Sequence, residues 1–116
     1  MNRRYRLTRS KEFKRVRRVG RSYAHPLIVL ITLVSAEPGV RIGISAGKSV
    51  GGAVQRNRAK RLMREAARPL IARVRPGWNL VLLARQPILH SSLLEIQQAL
   101  IQLLKRAEIF GDERGR

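Results

Sequence analysis

From Arg56 to Arg68 a basic side chain recurs at every fourth position: Arg56, Lys60, Arg64 and Arg68. On a helix that spacing sets the four along one ridge, which can follow a phosphate backbone. Arg58 and Arg61 flank the ridge. Asn57 adds a neutral donor and acceptor suited to a sugar hydroxyl or a base edge. The start of such a helix also offers unpaired N–H groups to a phosphate. A merely solvated helix face normally mixes signs so that i,i+4 pairs form; here Glu65 is the one acid in the stretch. The chemistry these residues support is recognition of a polyanion rather than bond-making.

Bond-making groups are sparse elsewhere. Protein nucleases hold metal ions with clustered carboxylates or use paired acids and bases. The seven acids, Glu12, Glu37, Glu65, Glu95, Glu108, Asp112 and Glu113, are scattered through the chain. His25 precedes a strand and His90 precedes a helix, where surface or capping roles are expected. Without cysteine, zinc knuckles, disulfides and thiol chemistry are excluded. Gly47-Lys48-Ser49 suggests a phosphate loop, but two further glycines follow it, whereas a Walker loop passes directly into its helix. Lys48 is instead expected on a basic loop that touches the polyanion. No catalytic residue, metal ligand or protein-bound cofactor is expected.

The elements that must carry these groups can be read from periodicity. Met1 to Arg9 is expected to be a mobile basic arm. Ser10 can cap a helix whose apolar side carries Phe13 and Val16 and which stops at Gly20. Leu27 to Val34 is nearly continuous in apolar and β-branched residues, as in a strand covered on both faces. Residues 35–39 form a turn of the right length to join antiparallel neighbours. Val40, Ile42 and Ile44 alternate with Arg41, Gly43 and Ser45, a half-buried strand with an open polar face. The basic helix runs from about Ala53, burying Ala59, Leu62, Met63, Ala66 and Leu70, until Pro69 ends or kinks it near Arg68. Trp78 to Arg85 is a further buried strand. Ser92-Leu93-Leu94-Glu95 has capping-box spacing and opens a helix to about Ile109; residues 111–116 form a frayed tail. The pattern is an α+β single domain, a two-layer sandwich of one small sheet with helices.

Composition supports the polyanion. The chain of 116 residues has a formal net charge of +18 and an isoelectric point near 12.0. Self-repulsion on that scale works against a compact state and is relieved by an anionic partner. Residues 1–21 hold ten basic side chains against Glu12, and residues 56–75 hold eight against Glu65. Nearly all the excess charge therefore lies on two segments. With 44% hydrophobic residues the remainder can bury a core. No apolar run is long enough to span a membrane, so no membrane partner and a cytoplasmic location are expected.

At Arg56-Asn57-Arg58-x-Lys60-Arg61-x-x-Arg64-Glu65, entered through Gly51-Gly52-Ala53-Val54, the chain resembles the ribonuclease P protein family. Arg6-Leu7, Glu12-Phe13, Arg41-Ile42-Gly43-Ile44-Ser45 and Ala84-Arg85-x-Pro87 extend the likeness over roughly residues 3–108. The resemblance implies a mixed sheet in a ribosomal-protein-like domain, with a left-handed βαβ crossover against the usual rule. It implies that Arg56, Asn57, Arg58, Lys60, Arg61, Arg64, Arg68 and Lys48 bind the catalytic RNA subunit. A cleft formed by Phe13, Arg17, Ile31, Arg41 and Ser45 would hold the 5′ leader of precursor tRNA. Arg17 and Ile31 stand where the family commonly has aromatic residues. Hydrolysis would be performed by the RNA and its Mg²⁺, giving mature tRNA 5′ ends, with the protein alone inactive.

Two other classes fit parts of the same pattern. A ribosomal or other structural RNA-binding protein would share the basic arms and the α+β core. A DNA-binding module would place the basic helix in a major groove, but needs a dimer or a tight helix-turn-helix. Here a strand and a glycine-rich loop precede that helix.

Overall fold

Gly20 marks the first sharp change of direction: its N–H closes helix α1 (Ser10–Val19) on Val16 O at 2.8 Å. The chain then passes directly into strand β1 (Arg21–Ala24). A Cβ at position 20 would stand 2.4 Å from Val16 O and 2.7 Å from Ile31 Cγ2, so only glycine allows this approach. The computed structural model describes residues 6–7 and 10–111. Strands β2 (Ile28–Val34), β3 (Val40–Ser45) and β4 (Trp78–Ala84) complete one sheet, and helices α2 (Ala53–Ala67) and α3 (Leu93–Arg106) pack on it.

The strand order is β1-β2-β4-β3, with β3 parallel to β4 and the other pairs antiparallel. The turn at 35–39 therefore does not join neighbours, because β4 lies between β2 and β3. The apolar patterns explain this correction. In β4, Leu80 and Leu82 bury toward one face and Val81 toward the other, which suits a central strand. β3 buries Val40 and Ile42 on one face but presents Arg41, Gly43 and Ser45 on the other, and takes an outer place. Strand β1, with mostly exposed residues and no apolar alternation, gave no sequence signal.

The main core lies between the sheet and α2 with α3, where Ile28, Leu30, Ile42, Leu80 and Leu82 meet Met63, Ile96, Leu100 and Leu103. Each fully buried side chain of this kind contributes about 1.5–3 kcal/mol. A smaller cluster on the other face joins Leu7, Val16, Ile31 and Val81 beneath α1. Arg6 and Leu7, expected within a mobile arm, belong to the fold: Arg6 bridges Ile42 in parallel and Leu7 N donates to Ile42 O at 2.9 Å. The rest of that arm, residues 1–5 and 8–9, lies outside the described residues.

The basic helix ends at Ala67 and continues as a 3-10 turn over Arg68–Arg73 with Pro69 in its first turn, as expected. The capping box on α3 is formed: Glu95 N donates to Ser92 Oγ at 3.1 Å and Ser92 N to Glu95 Oε1 at 2.8 Å. The Ser92 backbone N–H, and secondarily its side chain, hold the Glu95 carboxyl below its ordinary value. α3 stops at Arg106, short of the expected Ile109, because Glu108 adopts a left-handed φ of 60°. Ile109 then turns into the core, and Phe110 bridges Val74. Gly111, expected to open the frayed tail, is buried with its N–H on Arg73 O at 2.6 Å; residues 112–116 lie outside the described residues.

Candidate nucleic-acid interface

Helix α2 sorts its residues by charge. Ala59, Met63, Ala66 and Ala67 are buried against the sheet and α3, and their small or flexible side chains allow close packing. Asn57, Arg58 and Arg61 are exposed, while Arg56, Lys60 and Arg64 are half-buried along their stems. Among the described residues, no carboxylate pairs with Arg56, Arg58, Lys60, Arg61 or Arg64. Arg68 differs. Its Nη1 and Nη2 donate to Glu65 Oε1 and Oε2 at 3.1 and 2.9 Å, a bidentate pair on the surface. Lys48 is exposed on the 3-10 turn Lys48–Val50, which Val50 anchors in the core just ahead of α2. All eight residues expected to contact the catalytic RNA thus lie on α2 or the turns at its two ends.

The second expected surface is divided by α1. Strand register places three rows of side chains on this face of the sheet: Arg41, Asn79 and Leu33; then Gly43, Val81 and Ile31; then Ser45, Leu83 and Val29. α1 covers the middle row, while Leu33 and Asn79 of the first row border a groove of about 630 Å³ beside α1. Ile31 is only 4% exposed within the cluster beneath that helix, so the expectation that it faces a nucleotide is corrected. Phe13 packs on Gly43 and closes the second row at the β3 edge. Arg41 is held by Glu37 at 2.6 Å and lies 3.9 Å from Glu12, so it is a paired cation. Arg17 is exposed one turn beyond Phe13, on the same side of α1.

The third row stays open. Ser45, Leu83 and Val29 are half-buried. A groove of about 760 Å³ continues from Val29 and Leu83 to His25, Pro26, Ser49 and Arg85. His25 is fixed in the β1–β2 turn, where its Nδ1 accepts from Leu27 N at 3.1 Å, so it serves as a turn cap. Sequence alone does not assign Val29 and Leu83 to a site; which half-buried residues α1 leaves uncovered depends on strand register, which no local pattern gives. Arg6 and Arg64, far apart in sequence, share a recess of about 320 Å³ with Phe13 and Ile44. That recess runs round the β3 edge and connects the α1 face with the basic helix.

The comparisons with known proteins give the family. The family model described as Ribonuclease P matches residues 1–108. The chain belongs to the ribonuclease P protein family. Similar relatives include the ribonuclease P protein component of Herpetosiphon aurantiacus, 41% identical over 97% of this chain and 91% of that protein. The component from an Exiguobacterium species is 40% identical over 95% and 96% of the two chains. Among solved structures, the Staphylococcus aureus RNase P protein superposes with a TM-score of 0.80 at 32% identity, covering 92% of this chain and 98% of that one.

Membership in the ribonuclease P protein family makes the chain a subunit of a ribonucleoprotein endoribonuclease and assigns it to tRNA processing. Among the described residues, no group of three or more His, Asp or Glu side chains is placed to hold a metal ion. Nor, among those residues, is any helix long and apolar enough to cross a membrane.

Proposed function

We propose that this ribonuclease P protein holds the catalytic RNA subunit along α2 and the single-stranded 5′ leader of precursor tRNA in the open groove of the α1 face. The observation that carries the reading is the run of cations Arg56, Arg58, Lys60, Arg61 and Arg64, with acid partners absent among the described residues. A phosphate backbone laid along it replaces water and counterions without breaking an internal salt bridge. Leader phosphates would meet Arg17 and Arg85, with Val29 and Leu83 as an apolar floor for bases. Arg6 and Arg64 at the β3 edge make the two surfaces continuous, so one protein can set the leader against the RNA that cuts it.

Hydrolysis is assigned to the RNA and its bound Mg²⁺. The protein neutralises phosphates and positions the leader, and its workplace is the cytoplasm. The test is precursor-tRNA cleavage at near-physiological Mg²⁺ with protein alone, catalytic RNA alone, and both. Cleavage strongly stimulated only by the pair supports the reading. No stimulation overturns it, and cleavage by protein alone overturns the assignment of chemistry to RNA.

A further inference from the structure

The sheet face turned away from α1 carries another basic groove, at the strand ends that α3 leaves uncovered. Arg21 and Tyr23 alternate along β1 and stand opposite Thr32 and Leu30, which puts both side chains on the α3 side. Arg106, in the last turn of α3, donates from Nη1 to Ala24 O at 2.7 Å. Its guanidinium carbon is 6.0 Å from the centre of the Tyr23 ring, and that of Arg21 is 5.9 Å away. Both are within cation–π range. Trp78 stands at the start of β4 opposite Val34. The groove among these residues measures about 540 Å³, with Val19 and Val34, 51% and 64% exposed, as its apolar lip. Glu108 is the one carboxylate among its lining residues.

We propose that this groove binds an unpaired stretch of RNA, with bases on Tyr23 and Trp78 and phosphates on Arg21 and Arg106. Two rings, two guanidinium groups and two exposed valines are more apolar surface than duplex recognition uses. Unpaired bases, in contrast, bring π faces to such a platform and phosphates to its rim. Arg21 has no carboxylate partner among the described residues and is free to take one. The site shares no residue with α2 or with the leader groove, and therefore goes beyond the function proposed above.

Trp78 is the only tryptophan in the chain, so its emission reports on this groove alone. The full chain is titrated with a single-stranded oligouridylate and, separately, with a blunt RNA duplex, while the anisotropy of end-labelled RNA follows total binding. The single strand is expected to quench Trp78 and the duplex to leave it unchanged. Arg21→Glu should raise the quenching midpoint about tenfold, the loss of a charge-assisted contact. Tyr23→Leu should raise it at least about fivefold. Arg17→Glu, on the other face, should leave that midpoint in place. Constant Trp78 emission while anisotropy reports binding overturns this proposal and leaves the reading of α2 standing. Equal quenching by the duplex overturns it too, as does a midpoint sensitive to Arg17→Glu but not to Arg21→Glu. Titrating catalytic RNA and precursor tRNA in turn identifies the source of the strand: the one whose quenching is weakened by Arg21→Glu supplies it. If neither does so, the proposal fails.

Discussion

The Phe13 ring lies so close over Gly43 that a methyl group at position 43 would stand 2.6 Å from both Cδ2 and Cε2. The pair joins α1 to the outer strand β3, and it sets how far α1 stands from the sheet face where the leader is proposed to lie. Gly43→Ala must push the ring away, and overpacking of this kind costs about 1–3 kcal/mol. Thermal unfolding should show the loss, with a smaller loss when the same change is made in a Phe13→Ala background. Equal losses in both backgrounds would mean that the two residues are not coupled.

Arg56→Ala, Arg58→Ala and Lys60→Ala together should weaken catalytic-RNA binding and flatten its salt dependence, with thermal stability nearly unchanged. An interface of six to ten phosphate contacts loses about 10³–10⁵ in affinity between 50 and 200 mM salt. Removing three cations should lower the slope of log affinity against log salt by about 2–3. An unchanged slope would show that α2 is not the RNA surface.

Glu65 and Arg68 give a finer test of the same helix. Because Arg68 is already engaged bidentately, Arg68→Ala should weaken RNA binding less than Arg64→Ala. Glu65→Gln releases that guanidinium and removes a like charge to phosphate, so RNA affinity should rise a few-fold at low salt. Competition binding at two salt concentrations checks both, and a fall in affinity for Glu65→Gln would contradict the proposed docking.

The capping box at the start of α3 predicts an acid-sensitive contribution to stability. Backbone and hydroxyl hydrogen bonds from Ser92 hold the Glu95 carboxyl below its ordinary value of 4.5. Its contribution is therefore complete above about that pH, and is lost as pH falls through the lower folded value. Ser92→Ala should cost about 0.5–2 kcal/mol near neutrality. Denaturant titrations of Glu95→Gln across the same acid range should show a flatter pH dependence than the parent chain.

Glu108 closes α3 in a left-handed conformation that glycine adopts without strain. Its N–H meets Lys105 O at 3.0 Å and that of Ile109 meets Leu104 O at 3.2 Å, the paired bonds of a Schellman ending. Glu108→Gly relieves about 1–2 kcal/mol of backbone strain against a smaller entropy cost in the unfolded chain. The melting temperature should rise by a few degrees; a fall would mean that the Glu108 side chain contributes more than the strain it imposes.

Features set by local periodicity were legible before the fold was known. The buried side of α2, the double burial of β2 and the Ser92–Glu95 box each depend on residues within a few positions of one another. Strand β1 was not legible, because four mostly exposed residues carry no period. The place of β4 between β2 and β3 depends on pairing Val34 with Trp78, a contact that no local window contains. The site divided along the same line. The basic ridge could be read from spacing alone, whereas assigning Ile31 to the cleft failed because only the path of α1 decides that Ile31 is covered and Val29 is not.

The central position of β4 also governs when the molecule can come into being. Both basic segments, 1–21 and 56–75, leave the ribosome before Trp78–Ala84 does, and until then β2 and β3 have no strand between them to pair with. A nascent chain ending near residue 76 holds at most the β1–β2 hairpin and local helix, with most of its positive charge already exposed. Closure of the sheet waits on non-local pairing, which is intrinsically slow. During that interval, polyanions meet the charge before they meet the fold.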